Sequence, residues 1–327
     1  MSYAQMMITS HIYVRLKMAS LTLWLCSTLV SVATLLPVAT TDASPWTLSK
    51  DRLVMSATTG YSYADHEFLN DDQGTRQAFP LQGNLEIYSL RVSGRYGLQD
   101  DLELEVSTAF LSLMYSAESF VKQSTGELIH LDNSDTGIGD VKLMLTKQLL
   151  SKSWPLSLQV AFKLPTGYDL PEPNRAALGS GQSDLSGILQ LGHLFSSGTL
   201  IGLDGGMVYR LKGPGHQVKY GAKLAQRIVD RLFIFVAQTG YHSITDGETT
   251  GRFNRVSRSP ETSAQDFSLD DTYELPFTLT QDLHQAEVGF FLGTQSRVEY
   301  SGALVIPWAG KNTSQLISMF LTVNHPL

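Results

Sequence analysis

From Gly137 to Leu211 the chain places an apolar residue at every second position in four successive runs. The runs carry Val141, Leu143 and Leu145; then Leu156, Leu158, Val160, Phe162 and Leu164; then Leu185, Leu189 and Leu191; then Ile201, Leu203, Met207 and Tyr209. A period of two is the signature of a β-strand with one apolar face. The alternate positions hold Asp140, Lys142, Gln159, Lys163, Asp184, Gln190, Asp204 and Arg210, so the opposite face is polar. No helical segment follows that would cover the apolar side. These features predict an all-β chain, a transmembrane antiparallel up-and-down β-barrel with apolar residues towards lipid and polar residues towards a lumen. A soluble sandwich would bury its apolar faces in pairs, with shorter runs and more turns.

The connections sort into two classes, as outer-membrane barrels require on their two rims. Ser151–Pro155, Ser196–Gly198, Gly97–Asp101, 229–231 and Gly293–Ser296 are short. Asp65–Gly83, Glu118–Thr136, Pro165–Gly181 and Ile244–Gln281 are long, and Lys212–Gln217 and Trp308–Thr313 are intermediate. The same alternation recurs at Arg52–Ala64, Asn84–Tyr96, Leu102–Tyr115, Val218–Ile228, Leu232–Ser243, His284–Leu292, Arg297–Ile306 and Ser314–Val323. About twelve strands result, each near the ten residues that a tilted spanning strand needs. Leu269–Thr280 is a candidate for a further hairpin. An even count leaves both ends of the barrel in the periplasm.

Arg15 and Lys17 precede an apolar run from Met18 to Ala39, followed by the small residues Thr41-Asp42-Ala43. Residues 1–43 therefore read as a cleaved signal peptide and 44–327 as the barrel. The single cysteine, Cys26, lies inside that run, so a thiolate metal site, a disulfide or a cysteine nucleophile is not expected in the mature chain. No later apolar segment reaches the ~20 residues of a membrane helix. The expected place is the bacterial outer membrane, in contact with its lipid and lipopolysaccharide. A secreted chain of net charge -7 is no candidate for nucleic acid, and neither a metal nor a cofactor is expected.

On the inward faces Arg91, Arg95, Glu103, Glu105, Asp140, Lys142, Lys163 and Asp184 are the expected lumen-lining, transport-facing residues. Around the tight turn at Gly97–Asp101, Arg95 falls opposite Glu103 or Glu105, a favourable cross-strand pair. Charges that balance one another in a lumen wall explain such a pattern without any solute. The longest loop carries Arg252, Arg255 and Arg258 in its first half and Asp270 and Asp271 in its second. Those halves are expected to fold together over the mouth as a gate, since loops of this length are usually functional or disordered. Among the histidines, His242 sits at the rim where a barrel hydrolase would place one, whereas His193 and His284 stand alone. Asp65, His66 and Glu67, or Asp71-Asp72, are loop carboxylates that offer at most a weak cation site.

Three motifs occur in order: Gly137-Ile138-Gly139-Asp140-Val141, Phe162-Lys163-Leu164-Pro165-Thr166-Gly167, and Leu178-Gly179-Ser180-Gly181-Gln182-Ser183-Asp184. From Gly137 to about Tyr241 the chain resembles an outer-membrane barrel family labelled putative MetA-pathway of phenol degradation. The resemblance implies a transporter-like barrel; it identifies no solute. The final aromatic residue common in such barrels is absent here, and Phe320 is the nearest aromatic to the end. The expected function is a passive channel or transporter for small solutes, hydrophobic or aromatic. The alternatives are a structural or adhesive barrel acting through its loops and, less well supported, a rim hydrolase.

Overall fold

The alternating runs pair with their sequence neighbours all the way round. In chain order the barrel strands are β1 (Leu53–Ala64), β2 (Asn84–Gln99), β3 (Leu102–Ser116), β4 (Val141–Leu150), β5 (Leu156–Leu164) and β6 (Asp184–Leu194). They continue with β7 (Thr199–Arg210), β8 (Gln217–Val229), β9 (Leu232–Ser243), β10 (Asp282–Gly293), β11 (Glu299–Lys311) and β12 (Ile317–Pro326). Every neighbouring pair is antiparallel, and β12 pairs with β1 from Val54↔Pro326 to Tyr63↔Ile317. The sheet is thereby closed, which removes the edges that lipid cannot satisfy. The computed structural model describes residues 45–327 except 70–72, 123–126, 130–131, 168–177, 180, 212–214, 246–248, 257–271, 279 and 295–296.

Closure gives the two faces different solvents. Leu90, Val106, Leu145, Val160, Leu189, Leu203, Leu224, Val236, Val288 and Met319 are all exposed on the outside. In water such a belt would be untenable; in a bilayer it is the required surface. Aromatic clusters mark both ends of the belt. At the short-turn end Trp154 stacks on His193 at 4.5 Å and meets Phe195 edge-on at 6.3 Å. At the long-loop end Tyr209 stacks on His216 at 4.2 Å, and His284 lies between Tyr220 and Trp308. The expectation that His193 and His284 stand alone is corrected: His193 Nδ1 bonds the Ser153 carbonyl and His284 Nδ1 the Tyr220 hydroxyl.

Two connections are shorter than expected. Asn133–Ile138 is already strand and pairs with β3, while β11 runs through Trp308 to Lys311, so a tight turn follows at Asn312 (φ 52). Thr249–Val256 pairs with Thr272–Thr278 as a separate two-stranded sheet, so the barrel keeps twelve strands. Three short strands, His66–Phe68, Arg76–Ala78 and Thr313–Ser314, form a small sheet at the long-loop rim. Phe68, Phe79 and Leu81 are buried beneath it, with Phe79 edge-on to Tyr115 at 5.9 Å.

The register shifts once where it matters for function. Ile138 pairs with Phe110, yet Lys142 pairs with Ser107, so one extra residue is accommodated at Gly139-Asp140. That is a β-bulge. Below it β4 pairs with both β3 and β5; above it Asn133–Ile138 pairs with β3, because β5 ends at Leu164.

Candidate functional site

The three ordered sequence motifs converge beside this bulge. Thr166 donates its hydroxyl to the carbonyls of Ile138 (2.7 Å) and Gly139 (3.1 Å), tying the end of β5 to the broken strand. Leu178, from the third motif, is buried against the first. A Cβ on Gly137 would lie 2.6 Å from Leu178 Cδ1, and one on Gly139 would lie 3.1 Å from Leu111 Cδ1 and 3.3 Å from the Leu178 carbonyl oxygen. Two glycines in alternate strand positions thus leave an inward notch, and the following loop fills it. Lys163, from the second motif, bonds Asp184 of the third at 2.7 Å and Asp140 of the first at 3.1 Å. Gln182 donates to the other Asp184 oxygen at 2.8 Å.

These charges lie in one inward row. Ser107, Lys142, Lys163, Asp184 and Arg210 are direct register partners on β3 to β7. Opposed residues in an antiparallel pair share a face, so the row climbs the lumen wall as the barrel strands tilt. Lys142 and Lys163 would repel as neighbours; the two carboxylates on Lys163 offset that. Next to the row is a half-open cavity of about 280 Å³. Arg91, Ser107, Thr108, Asp140 and Lys142 bring polar groups to it, and Ile87, Ala109, Leu111, Leu113, Gly139 and Leu178 line the remainder.

Glu103 has a different role from the one expected of it. Its carboxylate accepts Arg95 Nε at 2.8 Å, Arg95 Nη2 at 2.9 Å and the Leu48 backbone N–H at 2.8 Å. Bonded to three donors and buried, it anchors the segment before β1 and does not line open space. The register puts Glu105 opposite Arg95 on the same face. The anchored segment occupies the short-turn end of the lumen: Gln148 donates to the Pro45 carbonyl at 3.1 Å, and a Cβ on Gly192 would meet Pro45 Cγ and Trp46 Cη2 at 2.7 Å.

Across the lumen the wall holds an apolar cluster beside polar residues such as Lys223 and Glu287, against the expectation that the inner face is wet throughout. Ala225, Phe235 and Ala237 are buried, with Leu200, Phe233, Phe291 and Ala303 packed on them. Phe235 stacks on Phe291 at 4.7 Å, and Lys223 Nζ lies 4.8 Å from the first ring centre and 5.2 Å from the second. That geometry is a cation–π contact within the lumen. The signal was present in the sequence, because Leu232–Ala237 is apolar at every position and so supplies both faces. Leu178 and Ser107 were also missed; the Gly137/Gly139 notch is the feature that calls for a filler.

At the rim His242 Nδ1 is 2.9 Å from Asp282 Oδ2, a dyad on the lipid-facing side with His242 exposed. The adjacent Ser243 hydroxyl donates instead to the Gln281 carbonyl at 2.8 Å. Asp65 bonds His66 at 2.6 Å, and among the described residues no group of three metal-ligating side chains occurs. Asp71 and Asp72 lie outside the described residues. In the long loop Arg252 and Arg255 are on the separate hairpin, while Arg258, Asp270 and Asp271 lie outside the described residues.

No protein-family model and no curated protein matches this sequence. Among solved structures, the COG4313 outer membrane channel from Pseudomonas putida F1 superposes at a TM-score of 0.59 with 14% identity, over 89% of this chain and 100% of that one. Looser likenesses are the P. putida toluene transporter TodX (TM-score 0.41, 9% identity, 86% of this chain and 89% of that one) and the translocator domain of autotransporter NalP from Neisseria meningitidis (0.42, 9%, 85% and 89%). The first likeness shows the fold; at their scores the other two carry no argument. With a closed twelve-stranded wall, an apolar outer belt and aromatic clusters at both ends, the chain is a β-barrel of the bacterial outer membrane.

Proposed function

We propose that the barrel is a passive channel or transporter for small solutes with a hydrophobic or aromatic body. The observation that carries this reading is the 280 Å³ cavity inside the wall, where apolar side chains predominate and a few polar groups join them. Such a division of labour is typical of small-molecule sites. Twelve strands enclose less space than the 16–18 of open porins and more than the eight of side-chain-filled barrels, so a narrow path suits the architecture. The resemblance of the three motifs to the family labelled putative MetA-pathway of phenol degradation agrees with transport. In this reading the loop from Ile244 to Gln281, which carries Arg252, Arg255, Arg258, Asp270 and Asp271, narrows the mouth as a gate.

The test is uptake of toluene and of 1-octanol into vesicles with and without the refolded protein. Faster equilibration of either solute supports the channel; rates equal to those of empty vesicles overturn it and favour a structural or adhesive barrel. Deleting Thr250–Asp271 should raise the rate if the loop is the gate.

A further inference from the structure

The outside of the long-loop rim is unequal on its two sides. From β8 to β10 three imidazoles stand among the aromatic residues: His216 just before β8, His242 on β9 and His284 on β10. Each has the parity of a lipid-facing residue on its own strand, Leu224, Val236 and Val288 respectively, so all three face outward. His216 is level with Ile244, and His284 with Gly240, so the row steps diagonally from one strand to the next through His242. Diagonal neighbours in an antiparallel sheet are about 7–8 Å apart. On the far side of the barrel the same rim is acidic. Glu86 lies on the outward face of β2, paired with Tyr63, and accepts the Tyr88 hydroxyl at 2.7 Å.

Each ring is held from the protein side through Nδ1. His216 Nδ1 accepts the Arg210 backbone N–H at 3.2 Å, which leaves the ring proton on Nε2. His284 Nδ1 bonds the Tyr220 hydroxyl, and with that hydroxyl donating, Nε2 carries the proton here too. Tyr220 reaches it across Gly240, where a Cβ would lie 2.6 Å from the hydroxyl oxygen. His242 Nδ1 bonds Asp282 Oδ2 at 2.9 Å, and Asp282 is itself fixed by the Ser243 N–H at 2.7 Å. The His242 side chain is 60% exposed. Among the described residues none of the three Nε2 atoms has a hydrogen-bond partner. Lys311 stands opposite Asp282 in the register, so what the patch offers is ring N–H groups rather than net charge. The long loops put this rim at the outer leaflet, which in a bacterial outer membrane is lipopolysaccharide with a phosphorylated disaccharide head. We propose that the imidazole row seats those phosphates and holds one lipopolysaccharide against β7 to β11. Phosphate oxygens accept from Nε2 in charge-assisted hydrogen bonds. Two phosphates on a disaccharide reach neighbouring rings of the row, the sugars lie against Tyr209 and Trp308, and the acyl chains cover Leu224, Val236 and Val288. The seat is on the outside of the barrel and stands apart from the channel reading.

The experiment is native mass spectrometry of the refolded full barrel in detergent, with bisphosphorylated lipid A and with the same lipid A stripped of its phosphates. The phosphorylated lipid should bind at least about tenfold more tightly, the worth of one charge-assisted hydrogen bond. His216→Phe, His242→Phe and His284→Phe combined keep the rings and should erase that preference, whereas Glu86→Gln should retain it. Heat-dependent gel mobility identifies variants that fold. A photoreactive lipid A should label β7 to β11 of the native chain in preference to β1 to β3, which tests the seat without any substitution. Equal binding of the two lipids, a preference that survives in the folded triple variant, or labelling that does not favour β7 to β11 overturns the proposal. Displacement of lipid A by millimolar inorganic phosphate overturns it as well, since that marks an anion site without a lipid seat.

Discussion

The two walls of the lumen are built from the same alternating strands but are stabilised differently. The wall from β2 to β7 is held by polar pairs: Arg95 with Glu103, Lys163 with Asp140 and Asp184, buried Ser157 donating to Gln190, and buried Gln159 donating to Thr146. The wall from β8 to β12 is closed by Phe235, Phe291, Ala303 and Phe320. The polar wall borders a cavity of about 280 Å³, whereas the aromatic cluster leaves one of about 40 Å³, because its side chains fill space against one another. The difference teaches that inward does not mean wet. It means facing whatever else the barrel encloses, and here that is half a core and half a site.

The comparison can be broken at several points. The largest effect is expected at Phe235→Ala, which removes a 3% exposed ring from its stack. It should cost about 3–5 kcal/mol in a denaturant titration of the refolded barrel. A loss under ~1 kcal/mol would mean that the aromatic wall is not a packed core.

Next is the outside of the barrel. Leu189, 50% exposed, faces lipid, so Leu189→Arg should cost about 2–4 kcal/mol near the midplane. Its inward neighbour Gln190 is 1% exposed and accepts a bond from Ser157 at 3.1 Å. Alternation alone would make Gln190→Arg harmless, but packing predicts a loss of about 1–3 kcal/mol from crowding. Measuring both in lipid vesicles tests whether the polar wall is as close-packed as it looks.

A smaller stability change, with a larger functional one, is expected at Glu103→Gln. It removes the charge that binds Arg95 and the Leu48 N–H, at about 1–3 kcal/mol. Single-channel conductance should rise as the Pro45–Ser49 segment loosens; an unchanged conductance in a folded variant would show that the segment does not restrict the path. The smallest effect belongs to the rim. The hydrogen bond from His66 lowers the Asp65 pKa, so its stabilisation is full above the ordinary carboxylate value and is lost as pH falls through the lowered one. Asp65 is largely exposed, so solvent screening keeps this small. The advantage of the native chain over Asp65→Asn should be present at pH 7 and absent in strong acid.

Fold and topology were legible in the sequence because both follow from local rules. Alternation at Leu143–Leu145 or Leu185–Leu191 states which face meets lipid, and short turns force neighbouring strands to pair antiparallel. The inward placement of Arg91, Lys142, Lys163 and Asp184 came from the same parity. Which inward charges would meet is a question of register and tilt across strands far apart in sequence, which local patterns do not contain. Only the tertiary structure brought Thr166, Leu178 and Asp184 to the Gly137–Asp140 bulge, turned Glu103 from a lining residue into an anchor, and stacked Phe235 on Phe291. The physical reason is that a period of two fixes direction, while contact is decided by closure of the whole ring.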